Sequence, residues 1–349
     1  MSSSILIGVS WIWSFFNIMN NSVGNCQSVA TQASSSEDDQ ADELLSKILS
    51  TIESSPTSAR ETCTVYIEKL CRTGNLKAAA RILQSLREKY IFLGNNAYNM
   101  LLEAAGKGND IGFLSQIFKD LLVSNEPITS TSYRNIAKAF IDTNDSILLQ
   151  RFVKEVSELT FPRSATVINR IIVAFGDCGQ VDKALLIFDT MKSLKCRPDL
   201  VTYNTVLWIL GSVGRADDML HEFASMKQAN IIPDIISYNT LINSLRKLGR
   251  LDKCLVFLKE MEERGLELDL RTYTALIETF GRSGNIEESL RLFNEMKCRH
   301  IRPSIYVYRS LINNLKKRGK LDLAKTFLDE MNKSLSDLVG PKDFRQKNR

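Results

Sequence analysis

Short apolar stripes at helical spacing alternate with brief polar breaks along most of the chain. Between residues 235 and 269, one stripe starts at Ile236, and a second runs from Leu251 to Met261 with apolar residues four, seven and ten positions after its start. Gly249 separates the two. Each stripe predicts a helix of about a dozen residues, roughly 18 Å long. Helices this short are unstable alone, so the pattern predicts helical hairpins that pack against neighbouring hairpins.

The hairpin pattern returns every 35 residues. The stretch PDLVTYN at 198–204 recurs as PDIISYN at 233–239, as LDLRTYT at 268–274 and as PSIYVYR at 303–309. The period defines eight units without insertion or deletion: 60–94, 95–129, 130–164, 165–199, 200–234, 235–269, 270–304 and 305–339. They cover 280 of the 349 residues. Units of this kind stack into a solenoid in which each buries its apolar face against the next.

Some columns of the repeat are apolar in nearly every unit, and another holds turn residues. The fourth position is Tyr in six units, and the twenty-fourth and twenty-seventh positions are apolar in all eight. This recurrence predicts packing between helices rather than a cofactor pocket. Gly and Asn, which most readily adopt the left-handed conformation, fill the fifteenth position: Gly74, Asn109, Asn144, Gly179, Gly214, Gly249, Gly284 and Gly319.

Charge is unevenly distributed along the chain, whose net charge is +5. Residues 1–59 hold six acids and one base, which leaves 44 bases and 34 acids in residues 60–349, a net charge of +10. This excess favours an anionic partner such as nucleic acid. A merely solubilising surface would carry the same charge, so charge alone does not separate the two interpretations.

The residues that precede the repeats combine conflicting signals. An apolar run over 5–19 is shorter than a membrane span, and no base precedes Lys47, which opposes a secretory signal. Fifteen serines favour an organellar transit peptide, whereas the missing arginines and the acids at 37–43 oppose one. A misassigned start codon would also explain this mixture. We expect residues 1–41 to be a targeting or disordered segment and residues 42–59 to form a helix that caps the first repeat.

The usual sequence signatures of catalysis and metal binding are absent. Seven cysteines occur without any CxxC pair, which is typical of reduced thiols in a helical protein. The two histidines, His221 and His300, belong to no ligand motif, and no triad, phosphate-binding loop or cofactor motif is present. We therefore expect no metal, no cofactor, no enzymatic activity and no membrane partner. The basic tail at 340–349 is expected to be disordered.

A 35-residue helical hairpin with VTYN at its start, Gly near its middle, Phe and Met in its second helix and PD at its end resembles the pentatricopeptide repeat. The resemblance covers residues 60–339, is strongest over 165–304, and the unbroken units resemble the P class of this family. It implies an all-α fold: an α-solenoid of eight helix-turn-helix repeats forming a right-handed superhelix. It further implies a monomeric, sequence-specific binder of single-stranded RNA in a plant mitochondrion or chloroplast. Such a protein would act in RNA processing, stabilisation, splicing or translation by occupying its site.

In this family each repeat reads one base, through the side chains at its fifth and thirty-fifth positions. Asn at the fifth position implies a pyrimidine. Asp at the thirty-fifth implies a base that donates a ring N–H, because a carboxylate only accepts. Three pairs thus resemble uridine readers: Asn169 with Asp199, Asn204 with Asp234, and Asn239 with Asp269.

The other units match this pattern less well. Thr274 with Ser304 implies a purine, A, and Asn99 with Thr129 is a weaker pyrimidine signal. The pairs that depart from the pattern are Thr64 with Gly94, Arg134 with Ser164, and Arg309 with Val339. If the amino-terminal repeats bind the 5′ end, as in the family, the core site is 5′-UUUA-3′. Turn formation and helix capping are the alternative interpretation of these polar residues.

Two further columns imply contacts with RNA. The second position of the family's repeat inserts an aliphatic side chain between bases, and Val201 and Ile236 match it. The thirteenth often contacts phosphate, and the basic residues in this column are Arg72, Lys107, Lys247, Arg282 and Lys317. A cation near the carboxyl end of a helix is favourable without RNA, so this column also has a purely structural interpretation.

The main alternative function is a protein-interaction scaffold within an organellar ribonucleoprotein or another complex. Only half of the units carry a legible pair, and a concave helical surface serves peptides as well as RNA. Repeats within 60–164 match the family pattern least, so they could hold another organellar RNA-processing protein while the remaining repeats bind RNA. The basic charge and the three Asn–Asp pairs favour RNA.

Overall fold

The computed structural model describes residues 56–334, apart from 125, 144 and 163, together with residues 46 and 50. This part of the chain forms sixteen α-helices and no β-strand, in two compact units divided between Arg197 and Pro198. The first unit contains α1 (Pro56–Thr73), α2 (Leu76–Glu88), α3 (Asn95–Lys107), α4 (Ile111–Val123), α5 (Ser130–Ala139), α6 (Ser146–Thr160), α7 (Ser164–Asp177) and α8 (Val181–Ser193). The second contains α9 (Leu200–Ser212), α10 (Ala216–Gln228), α11 (Ile235–Lys247), α12 (Leu251–Glu263), α13 (Leu270–Ser283), α14 (Ile286–Cys298), α15 (Ile305–Lys317) and α16 (Leu321–Lys333).

The helices confirm the predicted hairpins and their period. Every even-numbered helix begins at the seventeenth position of its unit, and most odd-numbered helices begin at the first. Within each compact unit, the first helix of one repeat packs against the first helix of the next. Of the predicted capping helix, only Ser46 and Ser50 are described before Pro56, and both are helical. Residues 1–41 and the tail at 340–349 lie outside the described residues.

In every repeat whose fifteenth residue is described, that residue adopts the left-handed backbone conformation just after the first helix, as the sequence predicts. The six glycines of this column have φ between +72° and +96°, and Asn109 has φ +52°; Asn144 is not among the described residues. Without a Cβ, glycine adopts this conformation at no steric cost. A second left-handed position, which the sequence did not reveal, follows the second helix at Tyr90, Asn230, Gly265 and His300.

The apolar columns pack the repeats together, as predicted. All six tyrosines at the fourth position are buried, and so are all residues at the twenty-seventh; at the twenty-fourth position Leu328 alone is half-buried. The Phe223 ring meets Tyr238 of the next repeat edge-on at 5.3 Å, and Phe293 meets Tyr308 in the same way at 5.2 Å. These rings join consecutive repeats of the second unit.

Buried polar groups add specific links to this packing. The Tyr238 hydroxyl donates to Glu260 Oε1 at 2.7 Å, which joins the two helices of one repeat. Lys227 of the preceding repeat pairs with the same carboxylate. In the first unit, Arg87 donates two hydrogen bonds to the buried Asp120, at 2.7 and 3.0 Å. Each of these polar contacts therefore joins residues of the same compact unit.

No helix in the described part is long and apolar enough to cross a membrane. The same residues contain no cluster of His, Cys, Asp and Glu that could hold a metal ion. The six described cysteines are free thiols. Burial raises the pKa of Cys63 to about 11 and that of Cys254 to about 12, so both remain protonated at neutral pH.

Candidate nucleic-acid interface

The first helices of the second unit share an exposed stripe. Its members occupy the second, fifth, ninth and thirteenth positions of each repeat, a spacing that places them on one side of a helix. All are exposed or half-exposed: Val201, Asn204, Trp208 and Ser212 on α9; Ile236, Asn239, Asn243 and Lys247 on α11; Arg271, Thr274, Glu278 and Arg282 on α13; and Tyr306, Arg309, Asn313 and Lys317 on α15. We call this surface the exposed stripe. It brings together the predicted stacking and phosphate-contacting residues of these four repeats and their fifth-position base-reading residues.

At six of the described repeat boundaries, the thirty-fifth residue of a repeat is the N-cap of the next first helix; Ser164 is instead the first residue of α7. Asp234 Oδ1 accepts the backbone N–H of Ser237 at 2.9 Å, and the Ser237 hydroxyl accepts the N–H of Asp234 at 3.2 Å. This reciprocal pair is a capping box. Asp199 forms the same capping box. Asp269, Thr129 and Ser304 each accept one backbone N–H at the start of their helices through a side-chain oxygen. The capping role that the sequence left open is therefore real, and it brings the thirty-fifth side chain to the level of the fifth.

Asn204 and Asp234, a predicted uridine-reading pair, are in direct contact. Asn204 Nδ2 donates to Asp234 Oδ1 at 3.1 Å, and the Ser237 hydroxyl donates to Asn204 Oδ1 at 2.6 Å. Asn204 Nδ2 carries two hydrogens, so one N–H remains beyond the bond to Asp234. Burial alone would raise the pKa of Asp234, but hydrogen bonds from Ser237 and Asn204 hold it below its usual range. The pair therefore presents an amide N–H beside an ionised carboxylate.

The other asparagines follow this arrangement to different degrees. Asn99 Oδ1 accepts the Ser132 hydroxyl at 2.7 Å, and its Nδ2 lies 3.4 Å from Thr129 Oγ1. Asn239 Oδ1 is 3.5 Å from Thr272 Oγ1. The hydroxyl at the third position of the next repeat thus orients the amide at the fifth, a relation that the sequence analysis missed.

Two predicted pairs within the second unit, Asn239 with Asp269 and Thr274 with Ser304, are not joined by a hydrogen bond in the described structure. Thr274 Oγ1 donates to the Leu270 carbonyl at 2.7 Å, and Ser304 is fully buried beneath the start of α15. Asn169 lies on α7 in the first unit and is buried, at 7% exposed. Asp199 lies in the second unit, where it is exposed and accepts the Thr202 N–H at 2.8 Å.

The predicted stacking residues are accessible. Val201 is 60% exposed and Ile236 is 57% exposed, on adjacent helices of the second unit. Both precede their asparagine by three residues, so each lies about one turn before it on the same stripe. The structure therefore places an exposed aliphatic side chain beside each of these two asparagines.

The predicted phosphate-contacting residues fall into two groups. Arg72, Lys107 and Arg282 each pair with a glutamate four residues earlier, for example Arg282 with Glu278 at 3.0 Å. Lys247 and Lys317 make no ion pair with any described residue, because their repeats carry asparagine at the ninth position. The first group is partly neutralised and the second is not. The glutamates were visible in the sequence as i, i+4 partners.

The first unit also exposes cations on its first helices. Arg134 and Lys138 lie one turn apart on α5, and Arg170 lies on the neighbouring α7. All three are exposed and form no ion pair within the described residues. Their charge suits an anionic ligand, although Arg134 replaces the expected amide at a fifth position.

Comparison with known proteins places repeats of one family in this chain. A model described as the PPR repeat family matches residues 163–207, 198–247, 233–282 and 272–317, and a model of the PPR repeat matches 306–334. Pentatricopeptide repeats are therefore present between residues 163 and 334. The pentatricopeptide repeat-containing protein At1g11900 of Arabidopsis thaliana is 45% identical over 153 residues, which are 43% of this chain and 41% of that protein. The chain thus matches less than half the length of this relative.

Solved structures of pentatricopeptide repeat proteins are similar to this chain at low identity. One is the pentatricopeptide repeat protein PPR10, from maize, in complex with an 18-nt psaJ RNA element: identity is 21% and the TM-score 0.45, over 87% of this chain and 53% of PPR10. Another is the PPR domain of Arabidopsis thaliana protein-only RNase P 1 in complex with tRNA. Its identity is 16% and its TM-score 0.28, over 63% of this chain and 97% of that domain.

Proposed function

We propose that this chain binds single-stranded RNA sequence-specifically through the exposed stripe and acts by occupying its site. The observation that carries the proposal is the contact among Asn204, Asp234 and Ser237. It offers one N–H donor and one ionised acceptor side by side. Uracil presents the complement, a ring N–H next to a carbonyl oxygen, whereas cytosine presents an acceptor at that ring nitrogen. The arrangement therefore fits uridine better than cytidine.

The same chemistry extends to neighbouring repeats. The pairs Asn239–Asp269 and Asn169–Asp199 would read uridine, and Thr274–Ser304 a purine, which gives the core 5′-UUUA-3′. Asn99 with Thr129 would add a weaker pyrimidine preference. Val201 and Ile236 would insert between bases. We further propose that the repeats begin at residue 60, that the protein is of the P class, and that it works in a mitochondrion or chloroplast.

The cations of the described structure support an anionic ligand but predict a modest electrostatic contribution. For a single strand, the slope of log K against log salt is about −0.7 per phosphate contact. Lys247 and Lys317 alone give a slope of about −1.4, and all five predicted cations about −3.5. Between 50 and 200 mM salt, these slopes mean a loss of roughly 7-fold and 130-fold. We expect an intermediate value, because three of the five are paired with glutamate.

A titration of the full chain tests this function. Fluorescently labelled RNA containing UUUA, the same RNA with CCC in place of UUU, and poly-A are compared at both salt concentrations by anisotropy. We expect preference for UUUA and its loss in a variant carrying Asn204→Ala and Asn239→Ala. Asn294→Ala is the matched control, because it removes the same side chain from an exposed position of α14 outside the stripe. Salt-sensitive binding without preference would refute the base assignments, and absence of binding would favour the protein-interaction scaffold.

A further inference from the structure

The exposed stripe of α9 is more apolar than that of the other first helices in its unit. At the ninth position, α11, α13 and α15 carry Asn243, Glu278 and Asn313, whereas α9 carries Trp208, whose side chain is 49% exposed. Val201, on the same stripe, is also largely exposed. A helix that is apolar on its exposed side as well as its buried side is normally covered by a partner. Trp208 therefore requires an explanation that core packing does not give.

The position of Trp208 points to the ligand of the stripe. It follows Asn204 by four residues, about one turn and about 6 Å further along the helix axis. At the next turn, α11 packs closely against α9: a Cβ on Gly211 would overlap the Ser244 side chain, so only glycine fits there. The protein covers about half of the Trp208 surface, and the other half is available to a ligand.

The charge around Trp208 is compatible with nucleic acid. Apart from the N-cap carboxylates, the stripe of α9 and α11 carries no acid among its members: Val201, Asn204, Trp208, Ser212, Ile236, Asn239, Asn243 and Lys247. Lys247 forms no ion pair with any residue in the described part of the chain. An aromatic ring in such a setting is a platform for bases, because every base has a π-face.

We propose that Trp208 is a stacking site for a nucleobase, and that it holds the base next to the one read by Asn204. This proposal rests on the proposed RNA function and adds a contact outside the second, fifth and thirty-fifth positions. Stacking is tolerant of sequence, so Trp208 strengthens binding without changing which bases are preferred. Stacking on an aromatic side chain contributes about 5- to 150-fold in affinity per base.

Tryptophan emission tests the proposal directly. The full chain holds three tryptophans, so Trp11→Phe and Trp13→Phe leave Trp208 as the only tryptophan, whose emission is excited selectively over that of tyrosine. Its fluorescence and the anisotropy of a labelled UUUA-containing RNA are followed in one titration. We expect quenching with the same midpoint as the anisotropy change. A series of RNAs, each with one abasic nucleotide at a different position, then locates the stacked base. Quenching should be lost for the one RNA whose abasic nucleotide replaces that base.

Variants give an independent readout. Trp208→Ala should weaken binding 5- to 150-fold with the UUUA preference retained, and Trp208→Phe should weaken it much less. Val256→Ala, at a 58% exposed position on α12 outside the stripe, should leave affinity unchanged. RNA binding with unaltered emission and unaltered Trp208→Ala affinity would refute the stacking site but leave the proposed function intact. Quenching by protein concentration without RNA would show that a second copy covers Trp208. No RNA binding in either signal would overturn both proposals.

Discussion

Ser237→Ala is expected to damage folding and base preference through two separable effects. Ser237 is fully buried, and its hydroxyl lies 2.6 Å from Asn204 Oδ1 and 2.9 Å from Asp234 Oδ1. Its loss removes the oxygen that accepts the Asp234 N–H, which costs about 0.5–1.5 kcal/mol, and leaves Asn204 Oδ1 without its donor. Because Asn204 is half-exposed and can turn to water, the second cost stays near the low end of about 1–3 kcal/mol. We expect the free energy of unfolding to fall by roughly 1–3 kcal/mol.

The effect of Ser237→Ala on RNA binding should appear in the preference for U over C rather than in the overall affinity. Without the hydroxyl, the Asn204 amide can rotate. If this reduces the difference in binding free energy between U and C by about 1 kcal/mol, the preference for U at that position falls about 5-fold. Urea denaturation measures the first effect, and anisotropy with RNAs that differ by a single U or C measures the second. Ser237→Thr should restore both, since Thr272 occupies the same position beside Asn239. Full U over C preference in Ser237→Ala would refute the orienting role.

Three further changes test other parts of the structure. Lys247→Ala should flatten the salt slope of RNA binding by about 0.7, and Arg282→Ala by less, because a glutamate already neutralises Arg282; equal changes would contradict this. Arg87→Ala should destabilise the protein by about 3–5 kcal/mol at pH 7, because it leaves the buried Asp120 carboxylate unpaired. Burial already raises the pKa of the Asp120 carboxyl, so the stability that this group contributes is greatest at low pH and is lost as pH rises. Urea denaturation should therefore show that Arg87→Ala lowers the free energy of unfolding less at pH 5 than at pH 7. An equal loss at both pH values would contradict this prediction. Gly249→Ala should cost about 1 kcal/mol in thermal or urea unfolding, since φ is +73° although a Cβ meets no neighbour, and Gly249→Asn should cost less.

The period of the sequence predicted the helices because each local signal agrees with the others. The stripe from Leu251 to Met261 and the break at Gly249 are set by short-range geometry, and the structure reproduces both. Burial of Tyr238 follows equally from its column. These features depend on spacing along one chain, which a sequence displays directly.

The details of the interface depend on contacts between repeats, which spacing does not reveal. The hydroxyl of Ser237 orients Asn204 across 33 residues, and only the folded geometry brings them together. Burial of Asn169 likewise results from its surroundings and not from its own residue type. Trp208 was visible in the sequence as the aromatic member of a column otherwise made of Glu, Lys, Val and Asn. Its accessibility could be read only from the structure.

The double use of the thirty-fifth position limits how the sequence of such a protein can change. Asp234 completes one repeat as the partner of Asn204 and begins the next helix as its N-cap. Any residue placed there to alter base preference must also start a helix, so the choice narrows to Asp, Asn, Ser, Thr and Gly. The six described N-caps at this position obey that limit: Gly94, Thr129, Asp199, Asp234, Asp269 and Ser304. A designer who retargets one repeat therefore edits the folding signal of its neighbour in the same step.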